Sequence, residues 1–172
     1  DSESLDHHLV RLSARSSSSE SQRLVVTDGV FSMDGDIADL DRLSTVCQTH
    51  RAMLAVDDAH GLGVLGKRGA GTLSHLGLGS GQVPILIGTF GKAFGTAGAF
   101  VAGSTALIDF LTQMARPYIY TTAMPPCVAA ATRQALTLIE EADDARAHLN
   151  SLIGFFQDEC RDLGLNIMRS QT

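Results

Sequence analysis

Short apolar runs typical of buried β-strands alternate along this chain with longer segments of helical periodicity. Ser104 is a predicted helix N-cap, and Pro125-Pro126 is predicted to open the next helix. The strand-like runs cover 23–27, 53–56, 84–87 and 97–102, and helical spacing covers 5–14, 39–50, 104–115 and 125–163. The serine run at 16–19 is typical of a linker. This alternation predicts an α/β fold built on a mainly parallel sheet.

Composition narrows the class of protein further. Hydrophobic residues make up 44% of the 172 residues and charged residues 19%, as in a globular protein. The net charge of −6 and the scattered basic residues argue against a nucleic-acid partner. The longest apolar stretches fall short of the ~20 residues of a membrane helix. Three distant cysteines without a CxxC spacing, and an acidic N-terminus unlike a signal peptide, favour a cytoplasmic protein.

Residues capable of chemistry follow three of the predicted strands. The segments are 29–35, with Ser32, 57–61, with Asp57 and His60, and 89–92, with Thr89 and Lys92. Because ligands of open α/β sheets bind at the carboxyl ends of strands, we expect these three loops to form one site.

Lys92 follows an apolar run and lies between Gly91 and Gly95, so a ligand can approach it closely. A lysine that is desolvated or placed near another cation can act as a Schiff-base nucleophile. The alternative is an ordinary surface lysine in a glycine-containing loop.

The sequence Asp57-Asp58-Ala59-His60 is open to several interpretations. It could supply metal ligands, completed by His7 or His8, or the acid motif of a phosphate hydrolase, for which the chain has no phosphate-binding G-x-x-x-x-G-K-[ST] loop. It could also be a helix cap with a core histidine. The neighbouring run 61–66 matches G-x-G-x-x-G literally, but no convincing helix follows it, so we do not interpret it as a dinucleotide-binding motif.

An acid, a histidine, hydroxyls and a lysine on neighbouring strand ends suit pyridoxal phosphate. The lysine can bind the cofactor covalently, and a carboxylate can keep the pyridinium nitrogen protonated so that the ring accepts electrons. The histidine can bond the phenolic oxygen, and a threonine near the lysine can bond the phosphate.

Four segments resemble the motifs of the α-oxoamine synthases, pyridoxal-phosphate enzymes of the aspartate aminotransferase fold (fold type I). They are 27–36, 56–61, 88–95 and 119–126, in the family's order and spacing. The resemblance implies the large domain of that fold, with a mainly parallel sheet that is incomplete at both ends.

By this resemblance, Lys92 is the Schiff-base lysine, Asp57 pairs with the pyridinium nitrogen and His60 with the phenolic oxygen. Ser32 is a further cofactor contact, and Thr89 bonds the phosphate.

The resemblance also implies substrates and a partner subunit. Thr121 and Thr122 resemble a hydroxyl pair that reaches the neighbouring subunit's phosphate, which implies a homodimer. The motifs at 57–61, 89–92 and 120–126 favour the members that condense L-alanine with a pimeloyl thioester, carried on coenzyme A or on acyl carrier protein. Asp28 stands where glutamate is commoner in these members. The alternatives are a family member with other substrates and a non-catalytic partner subunit.

Relative to the family, the chain is expected to be the middle of an enzyme about twice its length. Residues 1–140 would belong to the large cofactor-binding domain, and 141–172 would form a connecting helix and the start of the small domain. The glycine-rich phosphate turn and the ring-stacking histidine would precede Asp1. The isolated segment is therefore expected to be inactive.

Overall fold

A computed structural model describes residues 1–15, 22–168, 170 and 172. Its four strands lie side by side in chain order, as β1 (Arg23–Asp28), β2 (Ala52–Asp57), β3 (Ile85–Thr89) and β4 (Ala99–Ala102). The pairs β1–β2 and β2–β3 are parallel, and β3–β4 is antiparallel. The predicted α/β class and mainly parallel sheet are confirmed. The predicted linker at 16–19 lies outside the described residues.

Helices cover the connections and most of the second half of the chain. They are α1 (Ser2–Arg15), α2 (Leu40–Thr49), α3 (Gly71–Leu76), α4 (Thr105–Met114), α5 (Arg116–Ile119), α6 (Pro126–Glu141) and α7 (Asp143–Asp162), with a 3₁₀ turn at Lys67–Gly69. The predicted N-cap is confirmed, since the Ser104 side chain accepts a hydrogen bond from the Leu107 N–H. The predicted opening of α6 by the proline pair is also confirmed.

The structure differs from the sequence-based expectations at three helices. The short helices α3 and α5 were not predicted, because four to six residues are too few to show a helical period. The helical region after Pro125 is divided at Ala142, whose backbone has φ −89° and ψ 35°. The division of the chain into 1–140 and 141–172 stays a prediction.

The core lies between the sheet and α2. Leu54 and Val56 of β2 pack with Leu40 and Cys47 of α2, and all four side chains are at most 2% exposed. Burying such side chains contributes roughly 1.5–3 kcal/mol each. Strand β1 borders the sheet, and its Val26 remains 62% exposed. The core therefore fixes β2 most firmly, and β2 leads directly to Asp57.

Strand register brings the three predicted loops to one edge of the sheet. Asp28 lies opposite Asp57, and Asp57 lies opposite Ile87, so the carboxyl ends of β1, β2 and β3 are adjacent. After β2 the chain turns through 61–66 without forming a helix, and Leu62 and Ala70 form an isolated bridge. The glycine pattern therefore lacks the strand–turn–helix context of a dinucleotide-binding motif.

Among the described residues, none of the helices is both long enough and apolar enough to span a membrane.

Candidate functional site

Lys92 lies on the loop that joins the antiparallel strands β3 and β4. The Phe90 N–H donates to the Gly98 carbonyl at 2.8 Å, and the Thr96 N–H donates to the Phe90 carbonyl at 2.8 Å. The Gly95 N–H donates to the Lys92 carbonyl at 2.9 Å, which closes a tight turn at the lysine. The backbone is thus held at several points, while the lysine side chain is exposed.

The Lys92 side chain meets His60 from the loop after β2. Lys92 Nζ lies 2.7 Å from His60 Nε2. An ammonium can only donate, so a protonated Lys92 requires the lone pair of Nε2, and the His60 proton then lies on Nδ1. The predicted meeting of these two loops is present in the structure.

Asp57 ends β2 on the same edge of the sheet. Its Oδ1 accepts a hydrogen bond from the Ala59 N–H at 3.0 Å. Among the described residues, no donor bonds its second oxygen, Oδ2. The Asp57 carbonyl accepts from the Gly29 N–H at 2.8 Å, which joins the ends of β1 and β2. Asp57 therefore presents one carboxylate oxygen that is available to a ligand.

Asp58, the neighbouring acid, is fully buried on the opposite side of the strand end. Its Oδ2 accepts from the Thr72 N–H at 2.7 Å, and its Oδ1 accepts a short hydrogen bond from the Thr72 hydroxyl. Burial raises the pKa of the Asp58 carboxyl, and the Thr72 hydrogen bonds oppose that rise. Sequence reasoning assigned Asp57 to the cofactor but gave Asp58 no role. The alternation of side chains in a strand signals that the two acids face opposite ways.

The hydroxyl residues occupy different places. Thr89 Oγ1 donates to the Gly98 carbonyl and accepts from the Gly91 N–H, each at 3.2 Å, so it lies inside the Lys92 loop. Ser32 is exposed on the turn after β1, and Thr121 and Thr122 are exposed after α5. In the described part of the chain, no hydrogen bond links Ser32 or the threonine pair to Lys92, His60 or Asp57.

A groove of about 700 Å³ runs beside His60 between the turn after β1 and helix α7. Ser32 lies at its edge, and Phe31, Leu152 and Phe156 contribute apolar surface. Apolar clefts with a few polar groups are the usual form of small-molecule sites.

The structure does not support the metal-site interpretation of residues 57–60. Among the described residues, no group of three or more His, Cys, Asp or Glu side chains is placed to hold a metal ion. His60 instead contacts an amine, which competes for the same ring nitrogen.

Comparison with known proteins agrees with this architecture. The model of the family "Aminotransferase class I and II" matches residues 3–172. The chain belongs to this family.

Within the family, curated proteins named 8-amino-7-oxononanoate synthase are close to this chain in sequence. An 8-amino-7-oxononanoate synthase of Marinobacter nauticus is 58% identical over 156 residues, covering 91% of this chain and 40% of that protein. The chain therefore spans about 40% of the length of this relative. The resemblance predicted from the sequence motifs is confirmed.

Solved structures share the fold at lower identity. A serine palmitoyltransferase (SPT) of Sphingomonas wittichii has a TM-score of 0.87 and 35% identity, over 99% of this chain and 42% of that chain. An SPT with a PLP internal aldimine has a TM-score of 0.79 and 38% identity, over 88% of this chain and 36% of that chain. An 8-amino-7-oxononanoate synthase of Francisella tularensis has a TM-score of 0.78 and 35% identity, over 95% of this chain and 47% of that chain.

Proposed function

We propose that this chain is the lysine-bearing part of an 8-amino-7-oxononanoate synthase, a pyridoxal-phosphate enzyme of biotin synthesis. The observation that carries the proposal is the 2.7 Å contact of Lys92 Nζ with His60 Nε2, in the loop that directly follows Asp57. An amine, an imidazole and a carboxylate from two adjacent strand ends are the groups that pyridoxal phosphate requires.

The residues fit the cofactor. Lys92 Nζ is exposed and can bond covalently to an aldehyde, and Asp57 Oδ2 has no donor among the described residues, so it can accept from a protonated ring nitrogen. His60 would bond the phenolic oxygen, while Thr89 and Ser32 would contribute hydroxyls at the phosphate side and the rim. When bound, pyridoxal phosphate withdraws electrons from the Cα of an amino acid that is attached to it.

Proton movement is assigned to Lys92. With pyridoxal phosphate held at Asp57 and His60, the Lys92 amine would be the group that removes the Cα proton of L-alanine. His60, 2.7 Å away, accepts a hydrogen bond from that amine and so holds it in place. The Asp57 carboxylate would accept a hydrogen bond from a protonated ring nitrogen and stabilise its positive charge.

The overall reaction would join L-alanine to a pimeloyl group from coenzyme A or acyl carrier protein. The carbon–carbon bond forms between alanine Cα and the thioester carbonyl, the carrier thiol leaves, and the alanine carboxylate leaves as CO2. The groove between the turn after β1 and α7 offers apolar surface beside His60 for a carbon chain.

A homodimer would complete the site. Thr121 and Thr122 are exposed and follow the short helix α5, where Tyr118 and the C-cap residue Tyr120 are 68% and 80% exposed. Large exposed aromatic side chains are enriched at protein interfaces. The threonine pair would then supply hydroxyls to the partner's cofactor phosphate. A cytoplasmic location, expected from composition, stays a prediction.

The second candidate is an SPT-like enzyme acting on other substrates, which the structural similarity to SPT supports. The sequence favours the biotin enzyme, because its relative is 58% identical whereas the SPT is 35% identical. Lys92, Asp57 and His60 together argue against a non-catalytic partner subunit.

One labelling experiment tests the cofactor assignment. Borohydride reduction of the full-length protein with bound pyridoxal phosphate should fix the label on Lys92, and Lys92→Ala should abolish it. Lys67→Ala is the matched control, because Lys67 is the only other lysine of this chain and is also exposed. A label on Lys67, or none, contradicts the proposal. Assays with L-alanine and L-serine, each with pimeloyl and long-chain thioesters, separate the two candidate functions.

A further inference from the structure

The Asp58 carboxylate is enclosed by backbone from three separate segments. A Cβ added at Gly29, Gly61 or Gly71 would lie 2.8, 2.2 or 2.1 Å from one of its oxygens. These distances are far below van der Waals contact, so only glycine fits at each position. The loop after β1, the loop after β2 and the start of α3 therefore converge on one buried side chain.

Asp58 is bonded to its surroundings through backbone as well as side chain. Thr72 donates to the carboxylate through both its N–H and its hydroxyl. The Asp58 N–H donates to the Ile87 carbonyl of β3 at 2.9 Å, and its carbonyl accepts from the N–H groups of Gly61 and Leu62 at 3.1 and 3.0 Å. One residue thus connects β3, α3 and the turn that carries His60.

Both groups assigned to the cofactor are covalent neighbours of this connection. Asp57 directly precedes Asp58, and His60 lies two residues after it, inside the turn that the Asp58 carbonyl closes. A displacement of the Asp58 backbone would therefore move the carboxylate and the imidazole together relative to Lys92. Cofactor sites depend on supporting residues of this kind, because small misplacements of reacting groups are costly.

We propose that Asp58, held by Thr72, is the positioning residue that sets Asp57 and His60 against the cofactor. The inference rests on the proposed function. Asp58 itself touches no substrate or cofactor, and it acts through the geometry of the 57–61 turn.

Four variants of the full-length protein test the proposal. Asp58→Ala removes the carboxylate, and Asp58→Asn keeps its shape, with an oxygen to accept from the Thr72 N–H and an amide to donate to the Thr72 hydroxyl. Thr72→Val removes only the hydroxyl donor, while Thr72→Ser keeps it. Leu40→Ala serves as the stability control, since Leu40 is fully buried in the core and makes no hydrogen bond with Asp58.

The first readout is made without cofactor. Hydrogen exchange of the amides of Gly61 and Leu62 should accelerate in Asp58→Ala and in Thr72→Val. It should stay near the wild-type rate in Asp58→Asn, in Thr72→Ser and in Leu40→Ala, measured well below every unfolding midpoint.

The second readout is the binding of pyridoxal phosphate to the cofactor-free protein. Asp58→Ala should weaken it about tenfold, the low end of the range for residues that orient metal ligands. The pH midpoint of the visible absorbance of the bound cofactor should shift as well, and Asp58→Asn should restore both values.

Two outcomes overturn the inference. Either Asp58→Ala matches Leu40→Ala in exchange, affinity and pH midpoint, or Asp58→Asn is as defective as Asp58→Ala. If Asp58→Ala does not fold, the comparison of Thr72→Val with Thr72→Ser tests the inference by the same three measurements. Failure of the proposed function is distinct, because the wild-type protein itself would then carry no cofactor label on Lys92.

Discussion

Replacing Gly88 with alanine should destabilise the protein and disturb the Lys92 loop. Gly88 is buried in β3, and a Cβ there would lie 2.5 Å from Leu62 Cδ1 and 2.5 Å from two ring carbons of Phe100. Optimal carbon–carbon contacts are about 3.5–4.0 Å, so the overlap is about 1 Å on two sides.

The surroundings of Gly88 leave little room for relief. The Phe100 ring packs against Phe90 with ring centroids 5.3 Å apart, and Phe90 packs against Phe94 at 5.3 Å. Overpacking a site of this kind costs about 1–3 kcal/mol, and we expect about 2 kcal/mol for Gly88→Ala.

Gly91→Ala is the matched control in the same loop. Its nearest contact would be Thr89 Oγ1 at 3.6 Å, an ordinary van der Waals distance, and Gly91 is exposed. Its effect should stay within about 0.5 kcal/mol.

Urea unfolding of the cofactor-free full-length protein measures the difference. For a slope of about 2 kcal/mol per molar, Gly88→Ala should lower the midpoint by about 1 M, while Gly91→Ala leaves it nearly unchanged. Equal midpoints for the two variants would refute the steric reasoning. Labelling of Lys92 by borohydride should decrease in Gly88→Ala and persist in Gly91→Ala.

Three further predictions concern the acids and the isolated chain. Asp57→Asn should leave the cofactor label on Lys92 but lower turnover by about 100-fold or more, because a neutral amide stabilises the pyridinium charge less; near-normal turnover would remove Asp57 from that role. Because burial raises the pKa of Asp58, the folded state binds the Asp58 proton more tightly than the unfolded state does. Protonated Asp58 therefore stabilises the fold, fully below pH 3.8, and this stabilisation is lost as pH rises through the raised pKa. Wild type should therefore lose stability relative to Asp58→Asn as pH rises from 3.8, measured as the difference between their free energies of unfolding. A difference that does not change with pH would contradict this prediction. The isolated 172-residue chain should associate and bind pyridoxal phosphate weakly, since Leu24 and Val26 of the border strand are 55% and 62% exposed; a monodisperse, active preparation would contradict this.

The sequence predicted the strands because each is a short apolar run, and it predicted the placement of their loops because parallel strands end at a shared edge. Ser104 and the proline pair were readable for a similar reason, since capping and first-turn preferences are local. The strands, the N-cap and the start of α6 were predictable because each depends on residues that are close together in the sequence.

What the sequence did not predict depends on contacts between distant segments. Helix α3 is six residues long, and its Thr72 matters because Asp58 lies against it, fourteen positions earlier. The break at Ala142 is spanned by side-chain contacts that the helical pattern does not show. Arg146, just beyond it, donates to the Ile139 carbonyl at 2.7 Å and reaches the Gly63 carbonyl at 3.4 Å. No periodicity encodes such contacts.

The antiparallel pairing of β3 with β4 has a consequence for how the site forms. Thr89 pairs with Ala99, so residues 90–98 make a short closed loop, and its internal hydrogen bonds span at most nine positions. Short loops lose little entropy on closure and form early in folding. Asp57 and His60 reach the site through a parallel crossover instead, which joins strands separated by a whole helix. We therefore expect the lysine hairpin to become ordered first during folding, with the acid and the histidine arriving later as β2 docks beside it.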